Sequence, residues 1–326
     1  MINKGVKNRT IWYFLPDYDQ PSWGGGMLYH HVDMLNQNGF NAVLLHENSP
    51  FKLDWLHMDV PIRYLNQGEM SLSNGDVIVV PEGFVEDKRM REASARKIVF
   101  VQNCFLMLLN LKKACAYGEL GYEHAFTYLP HLHTIIKRHF SIKTTDIPPF
   151  VAPYFYLDPA KATPFRRKKQ IILFPKPGSY DYDLILKLLR KKINGMGNRH
   201  EPWEIIELRG KTHRQVAAAF QGGSIFVCLN THEAFNSSVP EAMAAGALVL
   251  CYEAYGPGDF LENTKNAFVF ANNHAYPLID KLFEIMDNYD LLQDQLATMR
   301  RNAYQTACQF TRTKTEKALK DFFRNF

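Results

Sequence analysis

The chain has 326 residues, 46% of them hydrophobic and 22% charged, with a formal net charge of +5. That length holds two domains of ordinary size, the composition excludes a disordered or fibrous chain, and basic residues scattered in short groups such as Arg166–Lys169 and Arg190–Lys192 do not form a nucleic-acid footprint. Five cysteines (Cys104, Cys115, Cys228, Cys251, Cys308) with no C-x-x-C pair read as thiols of a reducing compartment. Pro16 and Asp17 stop the first apolar run too early for a signal peptide or membrane span, so a cytoplasmic protein is expected.

In chain order, Thr10 to Leu15 reads as a strand and Met27 to Asn38 as a helix stopped by Gly39. Phe40 to Leu45 is the next strand, which completes a βαβ unit. Between the first two elements lies Trp23-Gly24-Gly25-Gly26, which reads either as a loop whose amides approach a phosphate or as a plain tight turn. Tyr29 stands where the dinucleotide fingerprint needs its last glycine, which argues against a nicotinamide cofactor. Strands at Asp76–Val80 and Lys97–Val101 end in Pro81-Glu82-Gly83 and Gln102-Asn103, which places polar groups where strands leave a sheet. Phe105 to Leu111 is apolar and runs into Lys112-Lys113, a pattern that fits a buried helix or a weak peripheral membrane contact. Ala125 to Leu129 is a further strand, and His124, His131, His133 and His139 lack the acids and cysteines of a metal site.

Five prolines (Pro148, Pro149, Pro153, Pro159, Pro164) between Thr144 and Pro164 mark a linker, giving a first domain over 1–160 and a second over 161–310. The second opens with a strand at Gln170–Phe174 followed by Lys176, then a helix over Asp181–Ile193. A strand at Trp203–Leu208 leads to Arg209-Gly210-Lys211-Thr212 and an Ala-rich helix. Ser224 to Cys251 then reads as strand, loop, helix and strand, with Glu233, Asn236 and Ser237 in the loop and a helix opening at Ser238 and closing at Gly246. Glu253 to Gly258 is expected as a mobile loop, Ala267–Ala271 as a last strand and Tyr276–Phe326 as helices. Asp17-x-Asp19 and Asp181-x-Asp183 suit a turn and a helix start better than a metal pair.

Glu233 and Glu241 stand eight positions apart, with Phe235 between them and Glu-Ala-Met-Ala-Ala-Gly following. This resembles the Glu-x7-Glu signature of retaining nucleotide-sugar glycosyltransferases of the GT-B type, particularly family 4. The resemblance implies an α/β architecture of two Rossmann-like domains whose parallel sheets face each other across a cleft, with a last helix, 311–326, crossing back to the first domain. It implies that Glu233 meets the donor sugar, that Glu241 binds the ribose, and that the amides around Asn236, Ser237 and Ser238 hold the diphosphate. Lys176 takes the place of a phosphate-neutralising residue, with Arg209 or Lys211 replacing the family's usual second lysine. Gly25 and Gly26 would face the donor phosphates, and Glu82, Gln102 and Asn103 would line the acceptor side. The donor would be a UDP- or GDP-sugar and no metal would be required. The acceptor would be a glycan, a lipid-linked molecule at the inner face of the membrane, or a small molecule. Two departures, Ala234 and Asn236 in place of the glycines beside Glu233 and the missing second phosphate lysine, favour a binding or scaffold role as the rival; a nucleotide-sugar epimerase is a further alternative. Ser238-x-x-Glu241 also matches a capping box, a purely structural account of Glu241.

Overall fold

The computed structural model describes residues 9–19, 22–68, 72–111, 116–157, 167–176, 178–197, 201–254 and 259–326. The chain divides into two compact units, one comprising Met1–Phe150 with Arg312–Phe326 and the other Val151–Thr311.

The first unit is built on a seven-stranded parallel sheet. Its strands are β1 (Thr10–Phe14), β2 (Asn41–His46), β3 (Ile62–Tyr64), β4 (Val77–Pro81), β5 (Arg96–Phe100), β6 (Tyr122–Thr127) and β7 (Lys143–Asp146), in the order β3-β2-β1-β4-β5-β6-β7. Every residue of β4 is buried, which is why it reads as a continuous apolar run and not as an alternation. The helices are α1 (Trp23–Gln37), α2 (Lys88–Glu92), α3 (Cys104–Asn110) and α4 (Pro130–His139).

The three glycines do not form a loop: α1 starts at Trp23, four residues before Met27. Ser22 caps it, its Oγ accepting from the Gly25 amide at 3.1 Å and its carbonyl from the Gly26 amide at 3.1 Å. Gly24 earns its place by closeness, since a Cβ there would lie 2.7 Å from Gln102 Oε1. The proline-rich stretch is also less irregular than its composition suggests. β7 precedes it, and Pro153–Phe155 forms a 3-10 turn with Phe155 fully buried, while 158–166 lie outside the described residues. β7, Lys-Thr-Thr-Asp, is held by parallel pairing with β6, as in His124 opposite Lys143, and its side chains carry no apolar pattern to announce it. On α3 Met107 is buried and Leu106 exposed; Lys112, Lys113 and Cys115 lie outside the described residues.

The second unit has a five-stranded parallel sheet of β8 (Lys168–Leu173), β9 (Glu204–Glu207), β10 (Gly223–Cys228), β11 (Leu248–Tyr252) and β12 (Phe268–Phe270), in the order β12-β11-β10-β8-β9. Around it run α5 (Tyr180–Gly195), α6 (His213–Gly222), α7 (Ser238–Ala244), α8 (Ala275–Asp287) and α9 (Gln293–Ala307). One core cluster joins Ile171, Leu173, Ile225, Val227, Leu248 and Leu250 of the strands to Leu189, Leu278, Leu282 and Leu296 of the helices. α7 ends where Gly246, at φ +72°, takes a left-handed turn: its amide reaches the Met243 carbonyl and the Ala247 amide the Ala242 carbonyl, both at 2.9 Å. The last helix, α10 (Arg312–Asn325), belongs to the first unit. Thr315 Oγ1 donates to the Pro148 carbonyl at 2.7 Å, Arg312 pairs with Asp33 at 2.6 Å, and Leu319 and Phe323 are fully buried. Among the described residues no helix is long and apolar enough to cross a membrane.

Candidate functional site

In the second sheet the chain runs outward from β8 to β9 and then returns to lay β10 on the other side of β8. Such a reversal opens a crevice at the carboxyl ends of the two flanking strands, where open α/β sheets bind ligands. β8 ends there at Leu173, with the exposed Lys176 three residues on, and β10 delivers the loop Leu229–Ser237. Asn236 knots that loop. At φ +53° it occupies left-handed backbone, which asparagine tolerates, and its Oδ1 accepts from Ser238 Oγ at 3.0 Å and from Asn230 Nδ2 at 3.3 Å. Its Nδ2 donates to Cys228 Sγ at 3.1 Å. A side chain thus does the fixing where the resembling family has a glycine. The knot presents Glu233 half-buried; burial raises its carboxyl above the ordinary range, and the Lys176 ammonium opposes that rise. The crevice therefore holds a carboxylate and a cation that feel each other, one from each strand of the reversal.

Glu241, on α7, is 4% exposed. It does not serve a capping box: neither Ser237, the N-cap, nor Ser238 caps with its side chain, because Ser238 Oγ is turned to Asn236. The carboxylate instead accepts from His213 Nε2 at 3.1 Å. His213 opens α6, where Thr212 and Gln215 form a complete capping box, and its Nδ1 lies 2.6 Å from the Tyr154 hydroxyl. Arg209 and Lys211 are exposed on the turn that leads into α6, with Gly210 at φ +58°. Sequence reasoning missed His213. Its position at the helix start was readable from Thr212-x-x-Gln215, but its partners stand 28 and 59 positions away.

In the first unit Glu82, Gln102, Asn103 and the glycines come together at the carboxyl ends of β4 and β5, but their polar groups are already engaged. Glu82 is 2% exposed and its Oε1 accepts from the Asn103 amide at 2.8 Å. Asn103 Oδ1 caps α3 through the Phe105 amide at 2.9 Å, and Gln102 Nε2 donates to the Gly24 carbonyl at 3.1 Å. The amides of Gly25 and Gly26, expected at the donor phosphates, are engaged by Ser22. Asp17 accepts from the Glu47 and Asn48 amides and Asp181 from the Tyr252 hydroxyl. Of the expected mobile loop Glu253–Gly258, residues 255–258 lie outside the described residues.

Residues 198–306 match the family model described as glycosyl transferases group 1. No curated protein matches the chain in sequence. Among solved structures, sucrose-phosphate synthase (tll1590) from Thermosynechococcus elongatus is similar at a TM-score of 0.72 and 12% identity, over 97% of this chain and 98% of that one. Alr3699/HepE from Anabaena, in complex with UDP, reaches 0.69 at 13% identity over 97% and 100% of the two chains, and the same protein is known with UDP-glucose. A glycosyltransferase from Rickettsia africae ESF-5 reaches 0.66 at 14% identity over 97% of each. The group 1 match lies in the unit that carries Glu233 and Glu241, and the chain as a whole has the GT-B fold of two Rossmann-like units that these structures share.

Proposed function

We propose that the protein transfers a glycosyl group, with retention of configuration, from a nucleoside diphosphate sugar bound at the second unit to a hydroxyl of a glycan, lipid-linked or small-molecule acceptor. The observation that carries the reading is the convergence of Glu233 and Lys176 at the reversal of the second sheet. It agrees with the resemblance to family 4 and its Glu-x7-Glu spacing. In the reaction the bond between the anomeric carbon and the phosphate oxygen breaks, its electron pair leaving with the diphosphate. The acceptor oxygen bonds to that carbon on the same face and passes its proton to the departing phosphate oxygen. Lys176, with Arg209 or Lys211, stabilises the charge that grows on the diphosphate, beside the amides of Ser237 and Ser238. Glu233 holds the sugar hydroxyls and Glu241 the ribose. The UDP and UDP-glucose bound to the Anabaena neighbour support UDP-sugars as the first donors to try, ahead of GDP-sugars. A lipid-linked acceptor would place α3, with the exposed Leu106, at a membrane surface. The test is to incubate the protein with UDP- and GDP-sugars, with water or simple glycosides as acceptor, and to read the anomeric configuration of the product by NMR. Retained configuration is expected; inverted product would refute the mechanism, and no turnover with bound nucleotide would favour a scaffold role.

A further inference from the structure

His213 and Tyr154 form, with Glu241, a three-member hydrogen-bonded chain that the assignment of Glu241 to the ribose does not by itself require. Glu241 is a buried acid, and a buried carboxylate needs a donor. The structure supplies one: His213 Nε2, 3.1 Å from Glu241 Oε1. A carboxylate only accepts, so the His213 proton sits on Nε2 and Nδ1 is left as an acceptor. Tyr154 completes that assignment. Its hydroxyl lies 2.6 Å from Nδ1, and burial pushes it up to about 12, so it stays protonated and donates. The imidazole is held in plane as well, by edge contacts with Tyr154 at 5.6 Å and Phe155 at 4.8 Å between ring centres. The exposures of the two partners differ: the His213 side chain is 28% exposed and that of Glu241 5%. The ring therefore stands between solvent and an acid that is otherwise enclosed.

We propose that His213, locked in one tautomer by Tyr154, is a positioning residue that fixes Glu241 Oε1 and so turns the other carboxylate oxygen to the ribose hydroxyls of the nucleotide. The inference rests on the reading that Glu241 binds the ribose. It makes the nucleotide's sugar, and neither its base nor its phosphates, the part of the donor that responds to changes at His213. A purely structural His213, tying α6 to α7 and to the Pro153–Phe155 turn, would respond differently: its loss would lower stability and leave the response to ribose intact.

The experiment is a calorimetric titration of the full chain with UDP and with 2′,3′-dideoxy-UDP, which keeps the base and diphosphate and lacks the ribose hydroxyls. Wild type, Glu241→Ala, His213→Ala, His213→Gln and Tyr154→Phe are compared, with thermal unfolding of each. Wild type should prefer UDP by roughly tenfold or more, the scale of one hydrogen bond to a carboxylate. Glu241→Ala should abolish that preference, and His213→Ala should remove most of it with dideoxy-UDP affinity unchanged. His213→Gln, whose Nε2 amide can again donate to Glu241, should restore it, and Tyr154→Phe should lose part of it. A wild-type preference ratio in both His213→Ala and Tyr154→Phe, with the ratio lost in Glu241→Ala, would overturn the inference and leave the ribose reading standing. An unchanged ratio in Glu241→Ala, or no preference in wild type for UDP over dideoxy-UDP nor for GDP over 2′,3′-dideoxy-GDP in the same titration, would overturn both. Should His213→Ala fail to fold, His213→Gln and Tyr154→Phe decide the matter through the same ratio.

Discussion

Glu82 offers a test of how the first unit is held together. It follows β4 in a buried site: its Oε1 has the Asn103 amide, its Oε2 has no partner among the described residues, and the carboxyl is pushed from its ordinary 4.5 up to about 7, burial outweighing the amides of Gln102, Glu82 and Asn103. An acid whose folded value is raised is ionised earlier in the unfolded chain. Its contribution is therefore fully present below pH 4.5 and is lost as pH rises through about 7, above which it is constant. From the difference between 4.5 and 7, the loss is about 3 kcal/mol. Glu82→Gln keeps the size and the oxygen that accepts from Asn103 but cannot ionise. It should match wild type near pH 4.5 and exceed it at pH 8 by up to about 3 kcal/mol. Urea unfolding at pH 5, 6, 7 and 8, followed by tryptophan fluorescence, reads this unit well, since Trp12, Trp23 and Trp55 lie in it and only Trp203 in the other. Parallel pH profiles for the two proteins, or a variant less stable at pH 8, would refute the reasoning.

Three further outcomes are expected. Gly246→Ala should destabilise the second unit by about 2–4 kcal/mol in urea or thermal unfolding, because alanine is strained in left-handed backbone and its Cβ would lie 2.6 Å from Leu157 Cδ1 and 2.8 Å from the Arg167 guanidinium; no change would show that the turn yields freely. Lys176→Ala should weaken UDP or GDP binding by about 1–3 kcal/mol in calorimetry, as loss of a charge-assisted contact does; equal affinity would remove Lys176 from the site. Because the Lys176 ammonium holds the Glu233 carboxyl down against its burial, the same variant should move the acid limb of the pH–rate profile to higher pH. An unmoved limb would show that Glu233 ionisation does not govern that limb.

The α/β class and the parallel sheets were legible because buried strands such as Val77–Pro81 and Gly223–Cys228 read as short apolar runs ending in polar turns. The carboxyl end of β10 was legible too, since Ser224–Cys228 and the glycine after α7 bracket the loop that carries Glu233. The edge strands β3 and β7 were not: each is short and only half covered, and its backbone pairing leaves no side-chain signature. Gly24–Gly26 misled for a related reason. Three glycines suggest a loop by propensity, but Ser22 caps a helix across them and Gln102, from a distant strand end, needs the missing side chain of Gly24. Ser238 and Glu241 matched a capping box by spacing while Asn236 and His213, the partners that override it, are chosen by the fold.

Glu233 is the residue on which the proposed chemistry turns. If it holds the donor sugar while Lys176 and its neighbours hold the diphosphate, Glu233→Ala must separate binding from chemistry, because only the sugar end loses its partner. The measurement is a pair on one purified variant: UDP or GDP affinity by calorimetry, and sugar transfer or donor hydrolysis by product assay. The expected result is nucleotide affinity within about threefold of wild type and turnover lower by roughly a hundredfold or more, with thermal stability little changed. Full turnover in the variant, or a loss of nucleotide affinity as large as the loss of turnover, would contradict it.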